Sequence, residues 1–162
     1  MRRSFGLGLL WVALLAAPAR AQLPIHFSVN AGTAIPVRND ADNWNSGFHV
    51  GAGLKVALIP LQLDVALDRM GGKGVVKDLN ITSAGVSFPV QITPPLLPLS
   101  AYLLAGGGLY HHFNGTDTGL NAGAGVRLGL PGIKLFGEGR GMVVFQEGNK
   151  LTYGTLAVGI SF

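Results

Sequence analysis

The feature that most constrains this chain is an alternation of apolar residues with small or polar residues, repeated in segments of about ten residues. In residues 47–58 the even positions, beginning with Phe48 and Val50, are apolar, whereas glycine, His49 and Lys55 occupy most odd positions. A period of two places successive side chains on opposite faces of a β-strand. Four other segments show the same period, which predicts an all-β fold: residues 25–34, 61–69, 120–130 and 151–162.

Three further segments keep the period less regularly, and they bring the predicted strands to eight. The apolar residues of 79–90 change parity after Ile81, which predicts a bulge or a late start of the membrane-facing part. Residues 101–113 are apolar or glycine on both faces. Residues 133–145 have a glycine-rich face, and the opposite face carries Lys134, Phe136, Glu138 and Arg140.

Composition indicates which face of these strands is buried. Only 12% of the residues are charged, against about 25% in an ordinary soluble domain. Yet the chain after residue 21 has no apolar run of the roughly 18 residues that a spanning helix requires. The alternate face is mostly Gly, Ala, Ser and Asn, which suit the narrow interior of an eight-stranded barrel better than a soluble surface. We therefore predict a transmembrane antiparallel barrel in preference to a soluble sandwich or a lipocalin.

The first 21 residues have the three parts of a secretory signal peptide: a basic start, a short apolar core and a small-x-small ending at Ala21. We predict cleavage after Ala21, so that residues 22–162 form the barrel domain. Removal of Arg2, Arg3 and Arg20 takes the 12 basic residues to nine, against eight acidic residues. A near-neutral domain gives no reason to predict nucleic acid as a partner, and the absence of cysteine excludes disulfides and a lipidated cysteine anchor.

The connections alternate in character, as they do in membrane barrels with short periplasmic turns and longer outer loops. Tight turns are predicted at 59–60 and 131–132, and longer polar loops at 35–46, 70–78 and 111–119. The last loop, 146–150, is short. Residues 89–100 contain four prolines, so we predict a long periplasmic connection there.

The carboxyl end of the chain, where Leu156, Val158, Ile160 and Phe162 share one face, resembles the assembly signal of outer-membrane barrels. Residues 121–127 and 135–140 resemble the last hairpins of the small outer-membrane β-barrel family, the OmpA-like and OmpX-like group of porin-family proteins. The resemblance implies a monomeric, eight-stranded up-and-down barrel in the outer membrane, with both termini periplasmic. It also implies outer-membrane lipids, the barrel-assembly machinery and periplasmic chaperones as partners, and a structural or surface-interaction role in the cell envelope.

Charged residues on the inward face are the sharpest candidate site. Lys55 and Asp64 are symmetric about the turn at 59–60, and Arg127 and Glu138 flank the turn at 131–132. Since an unpaired charge inside a barrel costs several kcal/mol, we predict one paired interior network of Lys55, Asp64, Asp68, Arg127, Glu138 and Arg140. We interpret it as a plug, and the alternative is a narrow channel or small-molecule carrier.

Other candidate sites are weaker. His26 and Ser28 share a face, with a spacing that resembles the lipid A 3-O-deacylase barrels. The sequence places no acid beside them, so no catalytic residue is predicted, and a lipid A-modifying barrel enzyme is a second alternative function. The adjacent His111 and His112 point to opposite faces and cannot chelate together. Residues 39–43 resemble a calcium loop only in composition, and the glycine runs lack the strand-to-helix context of a nucleotide site. Neither a metal nor a cofactor is therefore predicted.

Four aromatic residues near predicted strand ends are predicted to lie in the belts at the membrane interfaces: Trp44, Tyr102, Tyr110 and Tyr153.

Overall fold

The computed structural model describes residues 25–56, 59–93 and 98–162. Each strand pairs antiparallel with its neighbours in chain order, and β1 also pairs with β8, so that the sheet is a closed barrel. The predicted all-β, up-and-down barrel of eight strands is confirmed, and the predicted signal peptide lies outside the described residues. The elements are β1 (Ile25–Pro36), α1 (Asp40–Asn43), β2 (Gly47–Val56), β3 (Leu61–Met70), β4 (Leu79–Gln91), β5 (Leu99–His112), β6 (Gly115–Leu130), β7 (Ile133–Gln146) and β8 (Asn149–Ser161).

The alternation in the sequence becomes two faces of the barrel wall. Large aliphatic side chains point outward and are exposed, with Val65 at 55% and Val158 at 72% of their full area. Closure pairs the backbone of β1 to β8 on both sides, so none of the eight described strands has a free edge. An apolar outer surface without a free edge is what a β-structure needs in hydrocarbon. The part of the chain described in the structure has no helix long and apolar enough to cross a membrane.

The barrel has two unlike ends. The terminal end carries the start of β1, the end of β8 and the connections β2–β3, β4–β5 and β6–β7. The loop end carries the other four connections, of which residues 37–46 and 71–78 are long. The loops predicted at 111–119 and 146–150 are shorter in the structure. The pairing of β5 with β6 and of β7 with β8 continues up to two-residue turns at 113–114 and 147–148. Gly115 and Gly148 have the positive φ angles that these turns require, 142° and 74°.

Strand β4 contains no bulge at the predicted parity change. Its register with β3 runs without interruption from Gln62 opposite Ser87 to Met70 opposite Leu79. The parity changes because Leu79 and Ile81 point inward and are fully buried. The strand also continues through Pro89 to Gln91, so the connection to β5 is shorter than the predicted segment 89–100.

The main apolar core lies inside the barrel at the loop end. We call it the loop-end plug, and Trp44 packs against it from the connection between β1 and β2. Tyr102, Leu104 and Phe136 are also buried, but they lie outside this cluster. The plug consists of Ala34, Met70, Leu79, Ile81, Tyr110, Met142, Val144, Leu151 and Tyr153.

Candidate functional site

The middle of the barrel holds an ion network centred on Arg140 of β7. Its guanidinium donates to Glu138 on the same strand and, over 3.2 Å, to Asp64 of β3. Strands β3 and β7 are four positions apart in a ring of eight, so this contact crosses the lumen. Asp64 also accepts hydrogen bonds from Gln62, at 2.7 Å, and from Ser87. The network therefore ties opposite walls of the barrel together.

A second polar cluster, which we call the histidine cluster, lies between that network and the loop-end plug and comprises Asp68, His49, Tyr153 and Asn30. The Asp68 carboxylate is fully buried and contacts His49 Nδ1 at 2.6 Å. It also accepts a hydrogen bond from the Tyr153 hydroxyl at 3.0 Å. His49 Nε2 lies 3.0 Å from Asn30 Oδ1. His49 and Tyr153 thus supply the hydrogen-bond partners that a buried carboxylate requires.

Among the described residues, the lumen contains a small central void and a larger cavity. Beside Arg140 and His49 lies a central void of about 40 Å³, room for about three water molecules at roughly 10–15 Å³ each. Towards the terminal end lies a larger cavity of about 170 Å³. We call it the vestibule, and its lining includes His26, Lys55, Gln62, Arg127 and Lys134. The loop-end plug closes the opposite side of the void.

The predicted six-residue charge network is divided in the structure. Asp64, Glu138 and Arg140 lie together, Asp68 belongs to the histidine cluster, and Lys55 and Arg127 line the vestibule. The predicted Lys55–Asp64 pair is wrong. Lys55 faces Gln62 and Asp64 faces Gly53, because Val56 pairs with Leu61 and the register therefore differs by two residues from the predicted one.

The predicted pairing of Arg127 with Glu138 is also two residues out of register. Arg127 faces Phe136, whereas Glu138 faces Gly125. The Arg127 guanidinium instead lies over the Tyr102 ring, 4.8 Å from its centroid. The Tyr102 hydroxyl donates to Glu138 at 2.8 Å.

The predicted interface belt is wrong for the three tyrosines. Tyr102, Tyr110 and Tyr153 are all buried inside the barrel. Their parity contained the signal, since Tyr153 shares a face with Thr155 and the small residues that follow it. Trp44 lies outside the eight strands. It lies in the loop-end connection 37–46, where its indole nitrogen donates to the Lys77 carbonyl at 3.1 Å.

His26 and Ser28 share the inward face, but they do not form a catalytic arrangement. His26 Nδ1 lies 3.3 Å from the main-chain oxygen of Phe162, and Ser28 donates to the Gly53 carbonyl over the same distance. The only carboxylate lining their cavity, within the described ranges, is Glu138, which is bonded to Arg140.

The other candidate ligands are also dispersed. His111 contacts Thr116, whereas the buried His112 contacts Asp117 at 2.7 Å. Residues 40–43 form α1, and its Asp40 accepts a hydrogen bond from the backbone of β8. In the described ranges no three His, Asp or Glu side chains could hold a metal ion together. Phe162, Ile160 and Val158 lie at the terminal end, and their role as an assembly signal stays a prediction.

Comparison with known proteins gives a likeness of fold. No family model and no curated protein matches this sequence. The crystal structure of Neisserial surface protein A matches over 85% of this chain and 95% of its own, with 19% identity and a TM-score of 0.62. A major outer membrane protein from Thermus thermophilus matches over 85% of this chain and 98% of its own, with 13% identity and a TM-score of 0.53. The chain therefore has the fold of small, eight-stranded outer-membrane barrels.

Proposed function

We propose that this protein is exported by a cleaved signal peptide and resides in the outer membrane as a monomeric, closed barrel. Its role there is structural, or consists of surface contact through the loop end. The observation that carries the proposal is the filled lumen: the ion network, the histidine cluster and the loop-end plug occupy it in succession. A barrel with a filled lumen can anchor loops in a membrane, but it provides no wide aqueous path.

The outer surface supports the location. Exposed aliphatic side chains surround the barrel, among them Leu63, Val65, Leu120 and Leu156. Contact with outer-membrane lipids covers these side chains, whereas an aqueous compartment leaves them in water. The polar connections 37–46 and 71–78 then face the outside of the cell, and both termini face the periplasm. Insertion follows the route implied by the carboxyl-terminal pattern, with periplasmic chaperones and the barrel-assembly machinery as partners.

Two other functions are less well supported. A narrow channel needs a water path, but the central void of about 40 Å³ ends at the plug. A lipid A deacylase needs a histidine bonded to both a serine and an acid. His26 and Ser28 are instead bonded to separate main-chain oxygens.

Labelling of single cysteines tests the location and the orientation, since the chain has no cysteine of its own. Val75→Cys places a thiol at a fully exposed position in the loop-end connection, and Pro131→Cys is the matched control at the terminal end. A membrane-impermeant maleimide on intact cells is expected to label the first variant, and the second only after lysis. Labelling of Pro131→Cys alone on intact cells, or recovery of the protein in soluble extract, contradicts the proposal.

A deletion strain tests the role. Loss of a structural barrel is expected to increase the uptake of a hydrophobic fluorescent probe through the outer membrane. A variant in which short turns replace 37–46 and 71–78 should restore the barrier if the wall is sufficient, and fail if the loops carry the contact. An unchanged barrier in the deletion strain, together with unchanged binding of cells to surfaces, refutes both forms of the proposal.

A further inference from the structure

The vestibule has an excess of positive charge that the rest of the lumen lacks. Lys55, Arg127 and Lys134 line it from three different strands, and His26 lies beside them. The lining also contains Glu138, but that carboxylate accepts from Arg140 and from the Tyr102 hydroxyl. The three cations therefore have no carboxylate of their own within this cavity.

The positions of the acidic residues explain why these three cations have no carboxylate partner. The chain has eight Asp and Glu residues. Five lie in the connections or strand ends of the loop end, namely Asp40, Asp42, Asp78, Asp117 and Glu147. The other three, Asp64, Asp68 and Glu138, contact partners in the middle of the barrel. In the described ranges, none of the five ion pairs involves Lys55, Arg127 or Lys134.

The Arg127 side chain is held in place by stacking, but at least one of its hydrogen-bond donors has no partner among the described residues. Its guanidinium rests over the Tyr102 ring, and the Tyr102 hydroxyl is bonded to Glu138. Stacking fixes the plane of the guanidinium but uses none of its N–H groups. The Nε atom is buried and has no hydrogen-bond partner in the described part of the chain. A buried N–H group of this kind is unfavourable unless a ligand or water accepts a hydrogen bond from it.

We propose that the vestibule binds a phosphate group, held by Arg127 with Lys55 and Lys134 as flanking cations. A planar guanidinium donates two parallel hydrogen bonds to phosphate oxygens, and ammonium groups add compact charge. The volume of about 170 Å³ admits a small phosphate-bearing molecule and excludes a polymer. The phosphate belongs to a free solute or to the headgroup of a phospholipid at the barrel rim. The site goes beyond the proposed function and does not depend on it.

Calorimetric titration of the purified barrel in a non-ionic maltoside detergent tests the site with inorganic phosphate as the probe. Wild type is expected to bind, and added sodium chloride is expected to weaken binding because the contacts are between charges. Arg127→Gln should weaken binding by about tenfold or more, since it removes the bidentate contact. Lys55→Gln should weaken it less. Lys77→Gln, which removes a lysine at the loop end, is the matched control and should bind as wild type does.

Competition separates the two sources of phosphate. Glycerophosphoglycerol, the soluble headgroup of an anionic phospholipid, is expected to displace inorganic phosphate if a lipid headgroup reaches the site. Failure to displace it assigns the site to free phosphate. Each variant must keep the heat-modifiable gel migration of a folded barrel. Absence of binding to wild type, or equal binding by wild type and Arg127→Gln, overturns the proposal, and neither result bears on the location of the protein.

Discussion

Replacement of Arg140 by glutamine is expected to destabilise the barrel much more than loss of any surface ion pair. Arg140 is the only cation that contacts Asp64 and Glu138 in the described ranges, and these side chains are 20% and 6% exposed. Removing one partner of a buried ion pair costs about 3–5 kcal/mol, because the remaining charge is uncompensated. Asp64 retains its bonds to Gln62 and Ser87, so we expect a value near the lower limit, about 3 kcal/mol.

Urea unfolding of the protein in detergent micelles or lipid bilayers measures this loss. Trp44 packs against the loop-end plug, so its fluorescence reports the unfolding of the barrel. Arg69→Gln is the matched control, because Arg69 and Asp78 form an ion pair with side chains 54% and 48% exposed. Ion pairs exposed in this way contribute little to stability, because solvent and salt screen the two charges. Adding Asp64→Asn to Arg140→Gln removes one stranded charge and should restore part of the stability. Equal effects of Arg140→Gln and Arg69→Gln would refute the proposed role of the cross-lumen network.

Three further predictions concern the wall and the loop end. Gly32→Val should prevent barrel closure and abolish heat-modifiable gel migration, because an added Cβ would overlap the main-chain oxygen of Leu156 in β8. At Gly71 an added Cβ has no atom within 4 Å, so Gly71→Ala should fold. Val65→Arg, on the outer face, should cost about 2–4 kcal/mol in lipid-bilayer unfolding experiments, and an effect near zero contradicts lipid contact there. The hydrogen bond from Arg69 holds the pKa of Asp78 below its usual value. The stability from Asp78 is therefore present above the pKa of the unfolded chain and lost as pH falls through the lowered pKa of the folded chain. Carboxyl-carbon NMR titration should show a higher Asp78 midpoint in Arg69→Gln, and an unchanged midpoint contradicts the assignment.

The strands and the barrel wall could be predicted from the sequence because they follow from a single local property. In a thin closed wall each side chain faces either lipid or lumen, so composition and period two together define the fold. Residues 120–130 illustrate this, since Ala122, Ala124 and Val126 are all exposed on the outer face. The same reasoning placed Phe136, Glu138 and Arg140 correctly on the inward face of β7.

The partners of the interior charged residues could not be predicted from the sequence. Partners on neighbouring strands depend on the register at each turn, and partners across the lumen depend on distances around the ring. Val56 pairs with Leu61 rather than with Leu63, which moves the partner of Lys55 from Asp64 to Gln62. No local pattern shows that Arg140 reaches across to β3, since this contact depends on the diameter and stagger of the whole barrel.

The loop-end plug was missed for a different reason. The sequence predicts an inward face of mostly small residues, and it predicts the tyrosines at the membrane interfaces because they lie near predicted strand ends. Tyr110, Tyr153, Leu79 and Ile81 instead fill the lumen at the loop end. Their common inward parity is visible in the sequence, and it distinguishes a plugged end from an interface belt.

The central claim is that the lumen is filled from the ion network to the loop-end plug, and planar-bilayer recording with the purified protein tests it most directly. The account predicts that insertion leaves the bilayer current at the level of the bare membrane, with no steady conductance at any holding voltage. A steady, large current from wild-type protein, retained after removal of contaminating porins, would contradict the account.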